Sequence, residues 1–131
     1  MILGLFLTLA GASSAQYQPT LPTNASTIII HLSNFEFNPS QLRLRVGVPV
    51  HLQLMNDSGG GHNFSAPAFF AASTVQAGTP LHDGKIDVPA GGHVEITMVP
   101  GAPGTYKLEC SHFLHSLFGM TGTIIVEASS V

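Results

Sequence analysis

The sequence predicts an all-β chain, folded as a Greek-key β-sandwich or barrel of seven to eight strands with a short irregular or helical insert. Three observations lead there. Fourteen Gly and nine Pro punctuate the chain, the segments between them alternate apolar and polar residues with the two-residue period of a half-buried strand, and no long run of helix formers occurs. With 131 residues, there is room for one domain with a self-sufficient core.

The elements follow in chain order. Ile2 to Leu9 form a short apolar run, and small residues with a candidate cleavage site at Ser13-Ser14-Ala15 come next, the layout of a secretory leader. Residues 1–15 are therefore expected to be a signal peptide and 16–131 a single domain, exported to the periplasm or secreted. The apolar run is far shorter than the roughly 20 residues a membrane span needs, so no integral span is expected. Ser26 to Leu32 is β-branched; Leu42, Leu44 and Val46 alternate with Gln41, Arg43 and Arg45; Val50, Leu52 and Leu54 alternate with His51 and Gln53. Asn56-Asp57-Ser58-Gly59-Gly60-Gly61 is a turn cluster. The stretch from Ala66 to Asp83 lacks strand alternation and reads as an irregular insert, with one or two helical turns available between Ala68 and Val75. Lys85 to Val88, His93 to Met98, Thr105 to Cys110 and Gly122 to Glu127 return to strand composition, divided by Gly/Pro turns.

Composition excludes several functions. Charged residues make up only 8% of the chain, against about a quarter in an average soluble protein. Four Lys and Arg do not make the electrostatic footprint that nucleic-acid binding needs. The 44% apolar content is the reverse of a disordered composition. The seven His beside one Cys and four Met are the chemical oddity. A lone cysteine in an exported chain has no partner for an internal disulfide. By itself Cys110 also reads as a buried inert thiol, so its neighbours must decide.

Those neighbours are Cys110-Ser-His-Phe-Leu-His115-Ser-Leu-Phe-Gly-Met120, a Cys-x4-His-x4-Met spacing between the last two strands. A soft thiolate, an imidazole and a thioether on one loop suit copper, whose blue electron-transfer sites join a Cys and two His in a plane with a weak axial Met. The second imidazole is expected from His62, at the end of the Gly-rich loop. His31, His51, His82 and His93 read as surface or hydrogen-bonded residues, Met55 and Met98 as flexible core fillers, and His112 as an additional metal-binding candidate. Ser65, Ser111 and Ser116 lack a nucleophile-elbow context, and a Cys110–His115 thiol hydrolase pair has no orienting carboxylate.

Phe37-x-Pro39 before a strand, Gly47-x-Pro49-Val50, His62-Asn63, the run Gly104-Thr-Tyr-Lys-Leu-Glu-Cys110-Ser111, and Gly119-Met120-Thr121-Gly122 entering the last strand together resemble the cupredoxins, the small blue-copper family that includes plastocyanin and azurin. The resemblance covers nearly all of the expected mature chain, and the Cys-to-Met spacing is nearest to rusticyanin and auracyanin loops. It implies one mononuclear copper ion cycling between Cu(I) and Cu(II), with His62, Cys110 and His115 as equatorial ligands and Met120 axial. It further implies a monomeric, non-enzymatic electron shuttle whose redox protein partners dock near His115, where Phe113, Leu114, Leu117 and Phe118 offer an apolar patch. Backbone N–H groups near Asn63 are expected to donate to the Cys110 sulfur. A dinuclear centre needs a second Cys in the loop. A multicopper oxidase needs His on both sides of the Cys, where Glu109 and Ser111 stand here. The alternatives are a periplasmic copper carrier for homeostasis or metalloenzyme maturation, favoured by His112, and a zinc protein using Cys110, His62 and His115, for which Met120 gives no reason.

Overall fold

The computed structural model describes residues 25–112 and 119–129, together with Gly11. Ten strands and one short helix follow in order: β1 (Ser26–Ser33), β2 (Glu36–Asn38), β3 (Gln41–Arg45), β4 (Val50–Asn56), β5 (His62–Ser65), α1 (Pro67–Ala71), β6 (Ser73–Val75), β7 (Lys85–Val88), β8 (His93–Pro100), β9 (Gly104–Glu109) and β10 (Thr121–Glu127). They form two five-stranded sheets, ordered β2-β1-β4-β8-β6 and β3-β10-β9-β5-β7. Within each sheet one pair is parallel, β1 with β4 and β3 with β10, and the other neighbours run antiparallel.

The alternation in the sequence explains how the sheets face each other. Ile30 and Leu32 of β1, Leu42 and Leu44 of β3, Leu52 and Leu54 of β4, and Ile124 and Val126 of β10 all point inward and are buried, as the period-two rule requires for a sandwich. The residues between them point out. Arg43 and Arg45 leave the core side of β3 and reach Glu127 at 3.0 and 3.6 Å, an exposed cluster that adds little stability beside the burial of the opposite face.

The seven strands read from the sequence are all present, and β2, β5 and β6 add to them. The last of these corrects the picture of the insert. Pro67 starts a single helical turn at α1, and Ser73–Val75 then pairs with β8 as an edge strand. Three residues are too few to show periodicity, so the sequence carried no signal for it. Pairing is decided instead by α1, which buries Phe69 and Phe70 and delivers the chain to the edge of β8. The insert closes at Gly84, whose carbonyl accepts from the Ala66 N–H at 3.0 Å. Its φ of +71° and the Pro67 Cα only 2.4 Å from where a Cβ would stand admit glycine alone.

Met98 is a core residue, as expected, but Met55 is not. Successive β4 residues alternate between buried and half-buried, and Met55 lies on the outer side between inward-facing Leu54 and Asn56. The four expected surface histidines are confirmed in three cases by a partner: His31 to Asp57 at 2.6 Å, His51 to Thr97 at 2.7 Å, and His82 to Asp87 at 2.9 Å. The fourth, His93, is exposed at the start of β8.

Phe64 is the aromatic hub. It is fully buried and meets Phe37 and Phe70 edge-on, with ring centroids 6.0 Å apart in both pairs, the geometry aromatic quadrupoles favour. Phe64→Ala is expected to lower the stability of the metal-free protein by about 3–5 kcal/mol, read as a reduced urea midpoint.

Candidate metal centre

Of the four residues picked out as ligands, three lie among the described residues, and the fold brings them to one end of the sandwich. His62 opens β5, Cys110 follows β9, and Met120 precedes β10. β5 lies between β7 and β9, and the antiparallel register Ser65↔Glu109 sets the end of β5 beside the end of β9, so that the start of β5 lies beside the chain that follows β9. The antiparallel pairing of β9 with β10 opposes Glu109 to Thr121, and the Cys110 N–H then donates to the Met120 carbonyl at 3.1 Å. Residues 48 positions apart are thereby neighbours. His62 Nδ1 lies 3.9 Å from Cys110 Sγ. His115 lies outside the described residues, as do Phe113, Leu114, Leu117 and Phe118.

All three side chains are removed from water: Cys110 and Met120 are 0% exposed and His62 is 2% exposed. Cys110 is in no disulfide. Its sulfur accepts a hydrogen bond from the Asn63 backbone N–H at 3.4 Å, the donor expected there. Such a bond suits a sulfur carrying negative charge, since it stabilises the thiolate without changing the fold.

The framework around these donors is tied by Asn63. Its amide Nδ2 donates to Ser111 Oγ at 2.7 Å and its Oδ1 accepts from the Ser111 backbone N–H at 2.8 Å. This reciprocal pair clamps the residue after His62 to the residue after Cys110. A backbone donor to sulfur is expected near Asn63 from the sequence, but the side-chain clamp is not, because the short polar segment His62–Ser65 carries no local signal for it.

A second buried amide went unread. Asn56, at the end of β4, donates to the carbonyls of Gly60 and Val88 at 2.9 and 3.0 Å, and its Oδ1 accepts from the Ser58 N–H and hydroxyl. It fixes the glycine loop that leads into His62. His112 is exposed and comes close to that loop, its Cε1 3.9 Å from where a Cβ on Gly61 would stand.

The donor set fits copper. A thiolate and an imidazole bonded to one first-row ion have bond lengths of about 2.3 and 2.0 Å, so a 3.9 Å separation of Sγ and Nδ1 is within reach of a single ion at a bent angle. It is long for a direct hydrogen bond. Thiolate, imidazole and thioether are the combination that soft copper selects. Among the described residues no three His, Cys, Asp or Glu side chains gather around one point, and Met120, hydrogen-bonded through its backbone to Cys110, has a buried side chain.

The model of the cupredoxin-like domain matches residues 1–126. The chain belongs to the cupredoxin-like family, whose members bind copper. Among solved structures it is similar to auracyanin B, at 25% identity over 82% of this chain and 93% of that one with a TM-score of 0.62. A dithionite-reduced auracyanin from the photosynthetic bacterium Roseiflexus castenholzii shares the fold at 22% identity and a TM-score of 0.60, over 79% of this chain and 98% of that one. The same fold recurs in the multicopper oxidase McoA of the hyperthermophile Aquifex aeolicus, at 18% identity and a TM-score of 0.66, where 87% of this chain covers 32% of the oxidase. No functionally curated protein sequence matches the chain.

Asn63→Ala removes both side-chain hydrogen bonds to Ser111. A loss of about 2 kcal/mol is expected, measured by urea denaturation of the metal-free protein, where no metal contributes to the difference.

Proposed function

We propose that this chain is an exported type 1 copper protein that shuttles single electrons between redox partners, holding one copper ion through His62, Cys110, His115 and Met120. The observation that carries the reading is the burial of His62 Nδ1 and Cys110 Sγ within 3.9 Å of each other beside a buried Met120. Bound copper supplies one-electron chemistry by alternating between Cu(I) and Cu(II). The protein supplies the rest. Cys110 offers the soft thiolate, His62 Nδ1 and His115 the imidazoles, and Met120 a weak axial sulfur. The Asn63 N–H to Cys110 Sγ bond withdraws charge from the sulfur and so bears on the potential.

The attachment of His62, Cys110 and Met120 to strand ends limits rearrangement between oxidation states, which is what fast electron transfer requires. Complete burial of Cys110 gives a substrate no approach to the sulfur, in keeping with a carrier and against a thiol enzyme. Cupredoxins are generally carriers, although the oxidase neighbour shows that the fold also serves enzymes. Among the described residues no helix is long and apolar enough to cross a membrane. Export rests on the leader pattern of residues 1–15, with 16–131 as the functional domain, and the redox partners dock near His115 on a monomeric chain.

One observation favours a copper carrier as the second reading. His112 is exposed beside the glycine loop at Gly61, where an incoming or outgoing ion would pass. Rapid loss of copper to a chelator together with an irreversible redox couple marks the carrier. Slow loss with a reversible couple marks the electron shuttle.

Cys110→Ser is expected to abolish the intense visible absorption of the copper-loaded oxidised protein while leaving its circular dichroism in the far ultraviolet unchanged, since the hydroxyl is a harder, weaker donor. Persistence of the band in this variant would assign the chromophore to another group.

Met120→Leu is expected to keep copper and colour but raise the reduction potential, because loss of the weak axial donor favours Cu(I). Met120→Gln, with a stronger oxygen donor, is expected to lower it. Protein-film voltammetry of the three proteins at one pH reads both shifts, and an unchanged or lower potential in Met120→Leu removes Met120 from the ligand set.

A further inference from the structure

The outer face of the first sheet carries a second set of copper-compatible donors. The parallel register of β1 and β4 pairs His31 with Met55, and the antiparallel register of β4 and β8 pairs Met55 with His93. The three residues therefore stand in one row across three adjacent strands. All face outward: Ile30 and Leu32 point into the core on either side of His31, Leu54 and Asn56 on either side of Met55, and His93 is exposed. We propose that His31, Met55 and His93 form a second metal site, on the protein surface and selective for cuprous ion.

Directly opposed side chains on one sheet face have Cβ atoms about 5 Å apart. His31 and His93 stand two strand spacings apart, about 9.6 Å, so an ion bound by both sits above Met55 with each ring leaning inward. The rings rotate to meet the ion, since no three His, Cys, Asp or Glu side chains among the described residues are already gathered. Three features favour the row as a site over a chance surface pattern. Met55 has its thioether on the outer side of the sheet, where packing of the core does not call for it. Both of its neighbours in the row are imidazoles, and two nitrogens with one soft sulfur select Cu(I) over harder ions. Lastly, His31 Nδ1 is bonded to Asp57 Oδ2 at 2.6 Å. A carboxylate on one ring nitrogen sets the tautomer that offers the other nitrogen to a metal, the arrangement found behind metal-bound histidines.

The row lies on the other sheet from Cys110. It is separate from the candidate centre, and its occupancy does not depend on the electron-transfer reading. The adjacent Asn56 holds Gly60 of the loop that ends at His62, so both sets of donors are at the same end of the sandwich.

The test is anaerobic titration of the copper-loaded, ascorbate-reduced protein with Cu(I) buffered by a bicinchoninate chelator. Wild type is expected to take up one further equivalent of Cu(I). Met55→Leu and His93→Gln are each expected to weaken that uptake at least tenfold, and Asp57→Asn by about tenfold, in the range for loss of a carboxylate behind a metal-bound histidine. None of the three is expected to alter the visible band of the oxidised protein, and His93→Gln, at an exposed position, controls for any loss of folding in Met55→Leu. Absence of the further equivalent in wild type overturns the proposal, as does its full retention in Met55→Leu or His93→Gln. A protein without a blue band fails the electron-transfer reading alone, because the dependence of uptake on Met55 and His93 is read independently of colour.

Discussion

The reciprocal hydrogen bonds between Asn63 and Ser111, at 2.7 and 2.8 Å, are the constraint on which the candidate centre depends. They join two chain segments at the point where sheet pairing gives out, since β5 and β9 share only the Ser65↔Glu109 register. Without that clamp the residues beyond the ladder have no reason to converge. With it, the Asn63 N–H is presented to the Cys110 sulfur and the His62 ring stands beside it. The Asn63 amide is buried, so breaking these bonds leaves its polar atoms short of partners, at a cost that the exposed Ser111 side does not share. That penalty gives the site its rigidity before any metal arrives.

The two sheets hold this end of the molecule by ordinary burial. Cys110 and Met120 belong to the same continuous cluster as Phe64, Leu108 and Ile124, so the soft donors are anchored in the core and not suspended from a loop. A core so packed resists displacement of its members. The same burial lowers the dielectric around the sulfur, where the Asn63 N–H donor carries more weight than it would in water. Rigidity and electrostatics therefore come from one source, the placement of donors at strand ends over a hydrophobic interior.

Histidine and methionine occupy two different environments in this fold. His62 and Met120 are inside, joined to a thiol, and their protein surroundings dictate their geometry. His31, Met55 and His93 are on the outer side of the opposite sheet, where period-two alternation sends every second residue to solvent. Exposed imidazoles can rotate, and buried ones cannot. The first environment suits a tightly held ion that changes only its charge, and the second suits exchange.

The all-β class and the positions of seven strands were legible in the sequence, because alternation is a local property, and the spacing of Cys110, His115 and Met120 was equally local. His62 was legible by its place after the glycine loop, and its approach to Cys110 within 3.9 Å was not, since that distance is set by which strands become neighbours. The edge strand Ser73–Val75 was hidden for the same reason: three residues have no period, and only the edge of β8 gives them a partner. Met55 was misread as core on its apolar character alone, although the alternation of Val50, Leu52 and Leu54 with His51 and Gln53 continues to send it outward. The clamp between Asn63 and Ser111 joins residues 48 apart, and no local pattern encodes it. The sequence by itself determined which donors exist; the tertiary structure decided that His62, Cys110 and Met120 stand at strand ends and that His62 and Cys110 meet, because proximity between distant residues is fixed by sheet order and register and by the burial that makes one register far more favourable than its neighbours.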